Sequence, residues 1–133
     1  MNATRTVPVC VVLPPRLLLL DLAGPLEVLR RANLIQSELR FAVRYVGAAP
    51  TLESSIGLTL GAIEPLPDEL PDGAMVIVPG NVDQTIDGGT ATAADAAADA
   101  RIVDWLRTRV RADHCLPLHV PAVTAPETPE TSP

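Results

Sequence analysis

The sequence predicts an α/β fold, a three-layer sandwich on a mostly parallel sheet. Three observations carry this. Residues 7–13 (VPVCVVL) and 74–78 (AMVIV) are short, continuous apolar runs, each cut off by proline. Such runs suit strands buried on both faces, as in a parallel sheet covered by helices. The 26–32 and 102–110 stretches instead repeat their apolar residues at helical spacing. The order that results, strand, helix, strand, strand, helix, is that of an α/β sandwich.

In chain order, residues 7–13 form the first strand, with Cys10 as a small buried hydrophobe inside it. Pro14 and Pro15 end it. The next stretch, LLLLDLAGPLEVLRRA (17–32), organises the chain. Pro25 suits a first helical position, because its missing N–H would be unpaired there and its φ is already helical. Gly24 then serves as the flanking cap, and a helix is expected over 25–35, with Leu26, Leu29 and Ala32 facing the core. Glu27 falls in that first turn, where the helix dipole favours a carboxylate. Asp21 and Glu27 would flank one helix start, an arrangement that builds a polar pocket or an ordinary capped helix. In residues 40–48, Phe41, Val43 and Tyr45 alternate with Ala42, Arg44 and Val46, a strand with one partly wet face. Gly57 and Gly61 bracket a short apolar piece that reads as an edge hairpin, and three prolines mark 64–73 as a loop with at most one helical turn.

The strand at 74–78 stops at Pro79-Gly80-Asn81. Ligands of open parallel sheets bind beyond the carboxyl ends of the strands, so Gly80 and Asn81 are expected on the same rim as Asp21 and Glu27. Residues 82–94 form a small-residue loop. Its Gly88-Gly89-Thr90 lacks the pattern and the lysine of a phosphate-binding loop. A helix follows over 95–112, with Asp95 as its cap, an Ile102, Leu106, Val110 stripe, and Trp105 packing. In CLPLHV (115–120) Pro117 argues against a central strand. The Pro/Thr-rich end, from 121 to 133, buries too little to offset its ordering entropy. The domain division expected is therefore 1–120 and a disordered 121–133.

Composition narrows the function. The 133 residues carry a net charge of −6, and an acidic chain without a basic stripe is a poor nucleic-acid binder. Two cysteines make no disulfide scaffold. The apolar N-terminal stretch is split by Pro14-Pro15-Arg16 and closed by Asp21, short of the roughly 18 apolar residues of a membrane span. A cytoplasmic protein is expected, with no membrane partner, no cofactor and no metal. His114, Cys115 and His119 offer a Cys-His pair or three metal ligands, whereas structural zinc takes four. Solvated side chains in a fraying segment are the plainer reading.

LLDLAGPLEVLRRAN (19–33), VIVPGN (76–81) and RIVDWLRTRV (101–110) together resemble the DJ-1/PfpI superfamily, whose domain is class I glutamine amidotransferase-like and flavodoxin-like in fold. The resemblance spans roughly residues 7–115 and is nearest to the sensory half of AraC-type transcriptional regulators, with isonitrile hydratase as an enzymatic cousin. It implies that Glu27 is the opening-helix glutamate that hydrogen-bonds a nucleophilic thiol. Gly80 and Asn81 match its oxyanion loop, and Asp21 matches an acid of the hydratase branch. It also implies a cysteine on a strained strand-to-helix elbow after the Trp105 helix. Pro121-Ala122-Val123 stands there instead, and Cys115 comes several residues early. The regulator branch would also place a helix-turn-helix module after this domain, and residues 111–133 do not read as one.

The resemblance thus implies a sandwich that is incomplete at its C-terminal side, and the expectation is a C-terminally truncated, non-catalytic ligand-sensing domain. Asp21, Gly24, Glu27, Gly80 and Asn81 would line its ligand site, and Asp21 and Glu27 would be remnant catalytic positions. A small cysteine-dependent hydratase, amidase or glyoxalase-like enzyme is the alternative, and an interaction module with an open sheet edge is a third reading. The expected partners are an unidentified small molecule and a second copy of the chain, with self-association driven by an uncovered apolar face and strand edge.

Overall fold

The computed structural model describes residues 4–112 and His114. It is an α/β, flavodoxin-like arrangement with a parallel four-stranded sheet and one helix on each face. Strand β1 (Arg5–Val12) leads through α1 (Leu19–Ile35) to β2 (Leu39–Gly47). A hairpin of β3 (Leu52–Glu53) and β4 (Thr59–Leu60) follows, then β5 (Glu64–Pro65), β6 (Met75–Ile77) and α2 (Ala93–Arg109). The sheet order is β5-β2-β1-β6, all parallel, and β3 and β4 pair antiparallel beside it.

The two-sided burial expected of β1 is present, and alternation explains it. Val9, Val11 and Leu13 point to the α1 face, where Leu22, Leu26 and Leu29 pack on them with Ile77. Cys10 and Val12 point to the α2 face, against Val76, Ile102 and Trp105. Strand β2 has the predicted wet face: Ala42 and Arg44 are exposed, while Phe41 and Val43 pack toward α1. Gly47 ends β2 where a Cβ would stand 3.1 Å from both Leu13 O and Ile63 Cγ2, so a side chain there would require Leu13 and Ile63 to give by a few tenths of an ångström. On the far side of β1, β6 pairs with nothing beyond β1 among the described residues.

Three expectations are corrected. Helix α1 starts at Leu19, not at Pro25, so Pro25 lies inside it and Gly24 is a mid-helix residue rather than a cap. The apolar Leu17–Leu20 run is therefore shared between a buried bridge residue and the first helical turn. Leu18 at the N-cap has no capping side chain. The orphan donors of the helix start are met from elsewhere: Leu19 N–H donates to Ser55 Oγ (3.2 Å) and Leu18 N–H to Gly80 O (2.9 Å). Pro25 removes only the amide that would have served the Asp21 carbonyl. Within the proline-rich 64–73 segment, Glu64–Pro65 adds a two-residue parallel strand to the β2 edge, a position that tolerates a residue without an N–H. Helix α2 starts at Ala93 with Thr92 as its cap, and Asp95 closes a reciprocal capping box from the third helical position.

Candidate functional site

The carboxyl ends of the strands are joined by backbone pairing. Leu17 and Asn81 form an antiparallel bridge. Val82 N–H donates to Arg16 O (2.9 Å), and Ser55 N–H to Leu17 O (2.8 Å). Segments 16–18, 54–55 and 80–82 are thereby fixed to one another above the sheet. Asp21, half-buried in the first turn of α1, accepts the Gly80 N–H at Oδ2 (3.0 Å). Both backbone groups of Gly80 are thus held by the start of α1.

Of the residues read from the sequence, Asp21, Gly80 and Asn81 come together. Asn81 is exposed and lines a cleft of about 280 Å³ with Pro14, Val78 and the α2 residues Asp99 and Leu106. Glu27 and Gly24 do not join them. With the helix beginning at Leu19, Glu27 lies well past the first turn, exposed and paired with Arg30 (2.6 Å). It borders a separate open groove between α1 and β2, lined by Leu22, Leu26, Phe41 and Tyr45. A Cβ on Gly24 would meet nothing within 4 Å.

A pocket of about 390 Å³ sits at the ends of β1 and β2, walled by Leu13, Arg16, Glu53, Thr85, Thr90 and Asp95 among others. Arg16 is a firmly anchored polar group of this wall. Its side chain is 11% exposed, its Nε donates to Val82 O (2.8 Å), and its Nη1 donates to Asp95 Oδ2 (3.0 Å). Asp95 Oδ2 also accepts the Thr92 N–H (3.1 Å), so one carboxylate caps α2 and anchors the arginine. Arg16 takes a left-handed backbone, φ 54°, a conformation that a non-glycine residue keeps only where its surroundings over-determine it. Asp99, one turn on from Asp95, has its carboxyl pushed above the ordinary range by desolvation, with Arg16 opposing and Asp95 reinforcing. Sequence reading missed Arg16, Glu53 and Asp95 as a group. The only local signal is Pro14-Pro15 ahead of Arg16, which marks a turn but not the direction of its side chain.

Cys10 is 5% exposed in mid-strand. Burial pushes its thiol up to about 11, with Arg44 opposing and Glu64 adding. A thiolate nucleophile needs the opposite environment. His114 corrects the solvated reading: it is buried, and its Nδ1 accepts the Arg111 N–H (2.9 Å) in a turn closed by His114 N–H to Arg111 O (3.0 Å). Cys115, His119, the Pro121-Ala122-Val123 step and the 121–133 end lie outside the described residues, as does the 120/121 division. Among the described residues no group of three His, Cys, Asp or Glu side chains could hold a metal ion, and no helix is long and apolar enough to cross a membrane.

No protein-family model, curated protein or solved structure matches the chain.

Proposed function

We propose that the chain is a non-catalytic, small-molecule-sensing domain of the DJ-1/PfpI type, related to the sensory half of AraC-type regulators, and that it works in the cytoplasm without contacting DNA itself. The observation that carries this reading is the 390 Å³ pocket beyond the carboxyl ends of β1 and β2, the end of the sheet at which open α/β folds hold their ligands. Its wall combines apolar Leu13 with a nearly buried arginine and threonine hydroxyls, a lining that orients a small polar ligand. The Asp21–Gly80 bond supports it further, since it holds one rim of the strand ends in place.

The test is a fragment screen by amide NMR on the intact protein. Binding should shift Gly89, Thr90 and Arg16 and should vanish in Ala94→Phe, which fills the pocket from α2. A screen with no hits, or hits confined to the groove beside Glu27, overturns the assignment. Thiol-dependent hydratase, amidase and glyoxalase turnover should not exceed that of a Cys10→Ala/Cys115→Ala control. Turnover lost specifically in Cys115→Ala would favour the cysteine-enzyme reading. The interaction-module reading has one observation behind it, the free edge of β6 among the described residues.

A further inference from the structure

Exposed apolar side chains scattered singly need no explanation, whereas several at one place mark a contact surface. Three stand together at the rim above the strand ends. Ile56 (54% exposed) and Leu58 (53%) lie on the turn between β3 and β4, and Ile86 (74%) lies on the loop before α2. The turn and the loop are tied to each other. Ile86 N–H donates to Ser55 O (2.8 Å), and Ile86 Cγ2 is 3.4 Å from where a Gly57 Cβ would stand. Each is also closed on itself. Fully buried Ser54 donates its N–H to Leu58 O (2.9 Å) and accepts the Leu58 N–H at Oγ (3.2 Å), while Gly57 makes the turn at φ 82°. Thr85 N–H donates to Gly89 O (2.9 Å), and Gly89 N–H returns to Thr85 Oγ1 (3.1 Å). The three apolar side chains are therefore held out on a pinned frame, which leaves little ordering cost for a partner to meet.

The ground around them is acidic. Glu53 Oε2 is 3.8 Å from the same Gly57 Cβ position, and Asp83 and Asp87 flank Ile86 in its loop. All three carboxylates belong to exposed residues, and none forms an ion pair among the described residues. No lysine or arginine occurs between Arg44 and Arg101, and Arg16, next to the Leu17 that bonds Ser55, is already paired with Asp95.

We propose that this rim docks a basic, amphipathic segment of another protein, with apolar side chains on Ile56, Leu58 and Ile86 and lysine or arginine side chains on Glu53, Asp83 and Asp87. Charge selects this occupant. A second copy seated on the same patch would set the carboxylates against their own kind. Phosphate-bearing surfaces, membrane or nucleic acid, would meet the same repulsion. The chain's own 121–133 end carries Glu127 and Glu130 and no basic residue. Three side chains make a patch well below the roughly 1,200–2,000 Å² of a standard stable interface, so the segment should bind weakly, in the micromolar range or above.

The test titrates the intact protein with a short amphipathic peptide of leucine and lysine, followed by amide NMR and calorimetry, with the same pattern in leucine and glutamate as control. The lysine peptide should bind and move the Ile56, Gly57 and Ile86 amides, and the glutamate peptide should not bind. Ile56→Ser/Ile86→Ser keeps every charge and should weaken the lysine peptide at least tenfold. Glu53→Gln/Asp83→Asn should weaken it about fivefold. Asp68→Asn/Glu69→Gln, the same charge change at exposed residues of the segment before β6, should leave it within about twofold. Circular dichroism checks that each variant folds, and the amide map needs no variant. A lysine peptide that fails to bind overturns the proposal. So does binding that ignores both isoleucines, which is charge attraction alone, or shifts centred elsewhere, the β6 edge included. A glutamate peptide that binds equally overturns it too, as does a wild-type dimer lost in Ile56→Ser/Ile86→Ser, which assigns the patch to a second copy.

Discussion

Removing the Asp21 carboxylate separates a structural acid from a ligand-binding one. Its Oδ2 takes the Gly80 N–H at 3.0 Å and lies in the first turn of α1. A hydrogen bond to a charged group contributes about 1.5–3 kcal/mol net. Gly80 is only half-buried, so water replaces part of the loss, and the lower end of that range applies. A carboxylate at a helix start adds about 0.3–1 kcal/mol through the dipole. Asp21→Ala should therefore cost about 2–2.5 kcal/mol. At about 4–8 °C per kcal/mol for a small domain, the melting temperature should fall by about 8–20 °C. Asp21→Asn keeps an acceptor oxygen and loses the charge, and should cost about 1 kcal/mol. Urea unfolding followed by far-UV circular dichroism measures both, and the Gly80 amide shift reports the bond directly. An Asp21→Ala protein as stable as wild type, with the Gly80 amide unmoved, refutes the reasoning and leaves the acid free for a ligand.

Three further predictions concern packing and titration. Trp105→Phe removes the indole N–H donated to Pro67 O (2.6 Å) and should cost about 1–3 kcal/mol, against about 3–5 kcal/mol for Trp105→Ala, both read from urea midpoints. Thr92→Ala opens the α2 capping box and should cost about 0.5–2 kcal/mol. Cys10 should resist a thiol reagent until urea unfolds the sheet. Its thiol is raised from an ordinary 9.0 to about 11, so the unfolded chain gives up that proton first as the pH rises. Stability should decline between about pH 9 and 11, and Cys10→Val should flatten that decline; an unchanged alkaline slope in Cys10→Val counts against it.

The parts of this fold that the sequence makes legible are those whose signals are local. The VPVCVVL run reads as a doubly buried strand because every second residue meets a different helix. The Phe41–Tyr45 alternation reads as a half-wet strand for the same geometric reason. The start of α1 was illegible because its cap is not local. Ser55, 36 positions away, supplies the acceptor that Leu19 needs, so the nearest residues that look like helix punctuation, Gly24 and Pro25, mislead. That single displacement moves Glu27 away from Asp21 and divides the expected site in two. The pocket wall is hidden similarly, since the direction of Arg16 depends on Asp95, 79 positions later.

The strand-end pocket is therefore built with its frame and its lining on different atoms. The frame is backbone pairing, Arg16 O with Val82 N, Leu17 O with Ser55 N, Gly80 O with Leu18 N, tightened by side chains that face inward: Ser55, Asp21 and the Asp95 end of the arginine. The lining includes Thr90, an exposed loop residue, and Glu53, which forms no ion pair among the described residues. A change at Thr90 or Glu53 leaves every frame bond in place. Substitutions at these two lining positions should therefore have little effect on stability, as substitutions outside buried networks stay within about 0.5 kcal/mol. Arg16 is the exception. It belongs to both sets: its guanidinium is held by Val82 O and Asp95 while its left-handed backbone carries the bond from Val82 N–H, so a ligand that competes for that guanidinium acts on the frame as well as on the pocket. On the sensing function proposed above, Arg16 is the residue through which occupancy of the pocket would change the strength of the joint between β1, the 80–82 loop and α2.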